Sequence, residues 1–405
     1  MVHIDLAHAA PTLDYFGIDA DLPEEVRALR DRIRAFGTDQ VLPVINEAWE
    51  RAEFPESLLP GLRDLGIAGS VIQGYGCPGL TRLEAGIVAR ELSRADGSVN
   101  TFMGVHSGLG MASIHVLGSE EQRERWLPAM ARMERLGAFA LTEPEHGSDS
   151  VSLETRARRE GGHWVLDGHK RWIGNGHVAD LVTVFARDEA DGRVKAFVVE
   201  KGEDGAYPEG YRPTVIAGKF GKRAINQADI VLEGLRVPEE HRLTGCEGFS
   251  DVNKVLSLSR GGTSWEALGH AMAAYELAVS YAADRVQFSV PISRFQLVQE
   301  KLAVMLGEVM AVQMACHRMA ELQMRGESTA GQASLVKLTS CRRALAVCRT
   351  ARDIMAGNGM LIEHHVGRHL TDMEVVSTYE GTDSMQALIV GRDITGHSAF
   401  TAGGH

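Results

Sequence analysis

The feature that most constrains this chain is a change of hydrophobic period partway along it. Between about residues 137 and 246, apolar residues come in short runs: Trp164-Val165-Leu166, Leu181-Val182-Thr183-Val184-Phe185, Ala196-Phe197-Val198-Val199 and Ile230-Val231-Leu232. Strands at this spacing with no helix between them predict an antiparallel sheet or barrel, because parallel strands need long crossovers. Asp167-Gly168 and Asp191-Gly192 read as two hairpin turns within the set.

On either side the period is helical. Val26, Leu29, Ile33 and Phe36 recur at helix spacing after Asp21, Pro23 and Glu24, which read as a cap, a first-turn proline and a capping-box glutamate. Helices are expected over 56–65, closed by Gly66, over 80–94, and from Ser119 with Gln122 to about residue 133. Beyond Gly248 the periodic runs lengthen to 252–286, 295–325 and 330–355, with shorter pieces to Gly396, a pattern that packs as a bundle. The expected architecture is α+β in three parts: an all-α domain over 1–137, a middle β-barrel domain over 138–246 and a four-helix-bundle domain over 247–405. A length of 405 residues suits two or three such units.

Composition narrows the function. The net charge of −12 excludes a general nucleic-acid surface, and no run of about 18 apolar residues spans a membrane. Residues 1–11 lack the basic and apolar regions of a signal peptide, so a cytoplasmic protein is expected. The five cysteines form no CxxC pair and read as small buried apolar residues, with no metal site. Gly74-Tyr75-Gly76-Cys77-Pro78-Gly79 fits a dinucleotide fingerprint, but the chain beyond Arg94 continues as helix where a second strand is needed.

Five stretches carry chemistry-bearing residues, and each also has an ordinary reading. Residues 141–150, Leu-Thr-Glu-Pro-Glu-His-Gly-Ser-Asp-Ser, can hold a polar ring or a phosphate, or form a plain polar loop. Trp172-Ile173-Gly174-Asn175-Gly176 suits stacking on a flat ring, or a strand ending in a turn. Arg285, Phe288 and Gln296 join two helices, where an arginine also suits the helix dipole. Ala356-Gly357-Asn358-Gly359 has more glycine than a helix end needs. Ser377-Thr378-Tyr379-Glu380-Gly381-Thr382 sets a carboxylate beside an aromatic ring, where an apolar cavity would raise its proton affinity towards that of a general base. Alternatively Glu380 is solvated and Thr382 simply caps the next helix.

Taken together, LTEPEHGSD from Leu141, KRWIGNG from Lys170, DRVQF from Asp284, AGNG from Ala356 and YEGT from Tyr379 resemble the acyl-CoA dehydrogenase family in order and spacing. The resemblance runs from about Leu22 to Phe400 and is nearest to the glutaryl-CoA dehydrogenase branch and the plant short-chain acyl-CoA oxidases, which share GRDITG from Gly391. It implies FAD as cofactor, an acyl-CoA substrate, an electron-transfer flavoprotein as acceptor and a homotetramer. Glu380 matches the base that removes the α-proton, and its backbone NH matches a donor to the thioester carbonyl. Phe139, Leu141, Thr142, Gly147, Ser148, Trp172, Ile173, Gly174 and Thr382 match flavin contacts. Arg285, Phe288, Gln296 and Ala356, Gly357, Asn358 and Gly359 match contacts to the diphosphate and adenine, partly across a subunit interface. Asn100, Thr101, Ser148, Arg260, Tyr379 and Gly381 match the substrate side.

Two departures from the branch shape the expected activity. Glutaryl-CoA enzymes place an arginine where this chain has Asn100, and a buried carboxylate without its partner costs about 3–5 kcal/mol, so a neutral short-chain acyl-CoA is expected. Gly174 stands where many dehydrogenases have Thr or Ser, as in the oxidases; losing that hydroxyl is expected to open space beside the flavin for oxygen. The chain ends Gly403-Gly404-His405, without a peroxisomal tripeptide. Dehydrogenation is the leading expectation, with the oxidase, a glutaryl-CoA dehydrogenase and a non-enzymatic thioester-binding flavoprotein scaffold as alternatives.

Overall fold

The computed structural model describes residues 13–399. The apolar stripe Val26, Leu29, Ile33 and Phe36 is the buried face of α1 (Glu24–Phe36). Asp21 does not cap it: Pro23 holds the cap position with no side-chain bond, while the Asp21 amide closes an earlier turn onto the Gly17 carbonyl. After α2 (Leu42–Arg51) and α3 (Leu59–Leu65), the Thr81–Glu84 capping box opens α4 (Arg82–Ala95). The chain breaks at Asp96, whose carboxylate caps α5 (Gly97–Met103). A π-helical stretch, Gly104–Met111, continues α5 into α6 (Ala112–Leu117), and the Ser119–Gln122 capping box opens α7 (Glu120–Ala131). The glycine-rich segment from Gly74 to Gly79 is a loop with no strand before it among the described residues, so it builds no dinucleotide unit.

Seven strands curl into one sheet in the order β1-β4-β2-β3-β7-β6, with β5 also on β4. They are β1 (Gly137–Ala140), β2 (Arg156–Glu160), β3 (His163–Gly174), β4 (Leu181–Asp188), β5 (Val194–Glu200), β6 (Tyr211–Val215) and β7 (Gln227–Pro238). Two expectations need correction. The sheet is not wholly antiparallel, because β1 and the start of β2 both run parallel to β4, reached through the long loop between them. Asp167-Gly168 is not a hairpin turn: β3 passes straight through it with a register shift against β7. The Asp167 carboxylate takes the Gly234 amide and Arg158, and a Cβ on Gly168 would lie 2.4 Å from the Thr155 hydroxyl, so this pair serves as a tight bulge. The turn expected at Asp191-Gly192 joins β4 to β5.

The last part is helical: α8 (Phe249–Asp284), α9 (Gln296–Met324), α10 (Ala330–Ile354), α11 (Val366–Thr378) and α12 (Asp383–Thr395). A two-stranded ribbon, β8 (Val286–Gln287) with β9 (Val290–Pro291), links α8 to α9. One apolar core joins α1 and α4 to this bundle, a second ties the first helices to the inner face of the sheet, and a third fills the sheet itself. The three parts therefore meet around a common centre. Cys246, Cys316, Cys341 and Cys348 are buried, Cys77 half-buried, and all five are free thiols. Among the described residues no helix is long and apolar enough to cross a membrane, and no cluster of side chains suits a metal.

Candidate active site

A cavity of about 1410 Å³ opens where the sheet, α4, α5, α8 and the loop between α11 and α12 converge. A pocket for one drug-sized ligand holds roughly 300–1,000 Å³, so this one has room for two long ligands together. The loop wall is Tyr379 to Thr382. Thr382 caps α12 by accepting the Met385 amide at 3.3 Å, as its ordinary reading requires, yet Glu380 is not a solvated residue at a helix entrance. It is half-buried, lines the cavity and holds a left-handed backbone, φ +54°, with Gly381 following at φ +87°. A non-glycine residue in that region carries backbone strain, which persists only where surrounding bonds fix it.

Those bonds come from two buried side chains. The Lys337 ammonium on α10 donates to the carbonyls of Tyr379 and Gly381. Gln386 on α12 donates from Nε2 to the carbonyls of Glu380 and Gly381, each at 3.0 Å. The Glu380 carboxylate itself accepts the Ser259 hydroxyl of α8 at 3.0 Å. The neighbouring Tyr379 hydroxyl donates to Glu266, whose other oxygen takes the Lys222 ammonium from the loop between β6 and β7. Burial and then the Glu266 charge push the Tyr379 phenol well above its ordinary range.

The facing wall comes from the sheet. Phe139 on β1 leads into Leu141 and Thr142, and the Arg171 amide donates to the Thr142 carbonyl at 2.9 Å. Buried Glu143 then gathers the amides of Glu154 and Thr155, the Thr155 hydroxyl and the Lys170 ammonium, the last at 2.8 Å. Burial alone would raise the Glu143 carboxyl, but Lys170 and these donors hold it below the usual carboxylate range; burial in turn draws Lys170 down to about 8. This closure fixes the base of a loop whose exposed tip carries Gly147 and Ser148. Trp172 takes φ +64° and leaves 54% of its surface open, with the Arg171 guanidinium 5.5 Å from the ring centre.

The structure gathers most of the residues singled out in sequence. Phe139, Leu141, Thr142, Gly147, Ser148, Trp172, Ile173 and Gly174 line the sheet side of the cavity. Asn100, Thr101, Tyr379, Glu380, Gly381 and Thr382 line the helical side. The side chain of Arg260 lies outside the described residues. Arg285, Phe288, Gln296 and Ala356 to Gly359 are elsewhere, grouped at the far end of α8: Asn358 donates to the Tyr281 hydroxyl at 2.9 Å, and Phe288 meets Phe295 edge-on at 6.0 Å. The space expected beside Gly174 is absent, because a Cβ there would lie 2.8 Å from Val105 Cγ2 and the valine already fills the place. Sequence reasoning missed Ser259, Lys337, Gln386, Lys170 with Glu143, and Arg82. A lysine on the buried stripe Ser334, Lys337, Leu338, Cys341 was the available signal for Lys337.

A slot with apolar walls at Phe139, Leu141 and Trp172 and hydroxyls at Thr142 and Ser148 fits a large heteroaromatic ring with polar edges. Comparison with known proteins gives the arrangement its context. The sequence matches the family models described as acyl-CoA dehydrogenase N-terminal domain over residues 23–134, middle domain over 138–235 and C-terminal domain over 246–395. An acyl-CoA dehydrogenase of Bacillus subtilis (strain 168) is 34% identical over 379 residues, covering 92% of this chain and 98% of the relative. The mitochondrial short-chain specific acyl-CoA dehydrogenase of Bos taurus is 32% identical over 380 residues, 91% of this chain and 90% of the relative. The crystal structure of a glutaryl-CoA dehydrogenase from Mycobacterium smegmatis in complex with FADH2 superposes with a TM-score of 0.92 at 34% identity, covering 96% of this chain and 99% of that one.

Proposed function

This chain belongs to the acyl-CoA dehydrogenase family of oxidoreductases acting on acyl-CoA, and from that premise we propose that it converts a short-chain acyl-CoA to the trans-2-enoyl-CoA. Glu380 takes the α-proton, the electron pair of that C–H bond becomes the new C=C bond, and the β-hydrogen leaves with its pair. The cofactor is FAD, which supplies the acceptor for that hydride. Phe139, Leu141, Thr142, Gly147, Ser148, Trp172, Ile173, Gly174 and Thr382 would hold its ring system, with Asn100, Thr101 and Tyr379 around the acyl group.

The observation that carries the reading is the placement of Glu380. Its carboxylate is tethered by Ser259 at the cavity wall, and its backbone is fixed in a conformation that sets the amide N–H and the side chain on the same loop. A carboxylate oriented by a neighbouring donor is what proton abstraction needs, since general-base efficiency depends on reach before pKa. Val105 over Gly174 supports a dehydrogenase passing electrons to an electron-transfer flavoprotein rather than an oxidase, because the gap that oxygen would use is filled.

A homotetramer accounts for the second group of residues. Ser259, at the base, and Tyr281, beside Asn358, are 22 positions apart on α8, which is about 33 Å at 1.5 Å per residue. One chain's cavity and its own Arg285, Phe288, Gln296 and 356–359 group are therefore remote from each other, as expected if that group completes a neighbour's cofactor site. Exposed Phe288, Leu297, Val304 and Met360 supply apolar surface for such an assembly.

A second reading is favoured by Arg82. It lines the cavity, donates to the Leu258 carbonyl at 3.3 Å and forms no ion pair among the described residues; burial lowers its pKa. A guanidinium so placed suits an acyl group with an acceptor at its far end, restoring by another route the cation missing at Asn100. The deciding experiment mixes the oxidised flavoprotein anaerobically with butyryl-CoA and with glutaryl-CoA, follows bleaching of the flavin, then admits air. Bleaching by butyryl-CoA that persists in air is the expected result. Bleaching by glutaryl-CoA alone would replace the neutral substrate with the Arg82 reading, rapid recolouring with peroxide would make the protein an oxidase, and no bleaching by any acyl-CoA would defeat the proposed reaction.

A further inference from the structure

We propose that Lys337 is a positioning residue for this reaction, acting through the Tyr379–Glu380 peptide so that the Glu380 N–H becomes an aimed and strengthened donor to the thioester carbonyl. The inference rests on the reading of Glu380 given above and deepens it. Lys337 is fully buried on α10 and is not among the residues that line the cavity. Its ammonium donates to the carbonyls of Tyr379 and Gly381, on either side of Glu380.

The Tyr379 carbonyl and the Glu380 N–H are two ends of one amide. No cis peptide occurs among the described residues, and in a planar trans peptide the C=O and N–H point in opposite directions. Anchoring the oxygen on Lys337 therefore turns the Glu380 N–H away from α10. This has two physical effects. The strained φ of +54° at Glu380 is locked, with Gln386 holding the Glu380 carbonyl at 3.0 Å as the second anchor. The cation also draws electron density towards the amide oxygen, and hydrogen bonds in such a chain strengthen one another in a low-dielectric interior. The thioester oxygen gains negative charge as the α-proton leaves, so a stronger N–H donor helps the transition state more than the bound substrate.

The test uses the FAD-loaded protein with crotonyl-CoA labelled with carbon-13 at the carbonyl, read by infrared difference spectroscopy. In the wild type the bound carbonyl stretch falls below its value in water. In Lys337→Met the downshift should shrink by about half or more, kcat should fall roughly tenfold or more with a smaller change in KM, and Lys337→Arg, which keeps the charge, should recover part of both. Lys337→Gln keeps a neutral donor and should lie between; it is the variant to read if Lys337→Met fails to fold or to hold flavin. A wild-type carbonyl shift in Lys337→Met, or in Lys337→Gln where Lys337→Met does not fold, even with reduced kcat, would reduce Lys337 to a packing role and overturn the proposal. An absent shift in the wild type itself, together with no flavin bleaching, would overturn this inference and the reading of Glu380 at once.

Discussion

Two buried lysines support the two walls of one cavity, and they do it differently. Lys170 meets a carboxylate: Glu143 is the hub of the sheet-side loop, and the ammonium completes a set of donors that the Glu154 and Thr155 backbone begins. Lys337 meets peptide carbonyls instead, and so holds the backbone of the loop that presents Glu380. The difference teaches where charge belongs around such a site. On the sheet side a carboxylate is consumed by structure, because burial is tolerable only when every oxygen is paired. On the helical side the carboxylate lines the cavity and accepts the Ser259 hydroxyl, a neutral donor.

Breaking each wall in turn should separate chemistry from stability. The largest effect is expected for Glu380→Gln, which should keep its yellow flavin and its melting temperature yet lose roughly 10² to 10⁴ in turnover; a rate within a few fold of wild type would remove Glu380 from the mechanism. Lys170→Met should do the reverse, leaving Glu143 buried without its cation at a cost of about 3–5 kcal/mol in a urea titration, with partial recovery in the Glu143→Gln double variant. Should Lys170→Met unfold at the wild-type midpoint, the ion pair is no support for that wall.

A pH test sharpens the sheet side further. His106 accepts the Gly137 amide on Nδ1 at 2.9 Å and meets the Met130 carbonyl with Nε2 at 3.0 Å, so the neutral ring ties the π-helical stretch to the start of β1. Burial lowers its pKa to about 4. A histidine depressed in the folded state contributes stability that is present above its unfolded value near 6.5 and is lost as pH falls through about 4. The expected loss between those limits is about 3 kcal/mol, smaller in His106→Gln; an equal decline in both proteins would clear His106. Next in size, Gly174→Ser should cost about 1–3 kcal/mol by crowding Val105, and Val105→Ala should relieve it, which thermal melts of the single and double variants would show. The smallest effect is Ser259→Ala. Removing a donor to the charged carboxylate should move the acid limb of kcat to higher pH with a few-fold loss of rate, and an unmoved limb would deny Ser259 that role.

Much of this was legible in the sequence where local chemistry decides structure. The stripes of α1 and the Ser119–Gln122 box reappear because helix periodicity and capping are short-range. Asp167-Gly168 misled because the same dipeptide serves a turn or a bulge, and only the approach of Thr155, at the entrance to another strand, selects between them. Gly174 misled in the same way: a missing side chain leaves a hole only if no distant residue fills it, and Val105 does. The motif residues around the cavity could be named in advance, whereas their supports could not. Lys337 lies more than forty positions before the loop it holds; its place on a buried stripe calls for a partner, but nothing local says which.

The link from Lys222 to Glu266 to the Tyr379 hydroxyl has a consequence for how this protein can be divided. Its three members come from the loop between β6 and β7, from the long helix of the bundle and from the loop beside the base, and the Lys222 amide also bonds to Asp372 on α11 at 2.6 Å. A gene split between the sheet and the bundle would leave the Lys222 ammonium on one piece and the Glu266 carboxylate with Tyr379 on the other. Recombination, insertion or fragment complementation is thus steered away from this seam, and the sheet is tied to the helical bundle that follows it rather than free to be exchanged as a module.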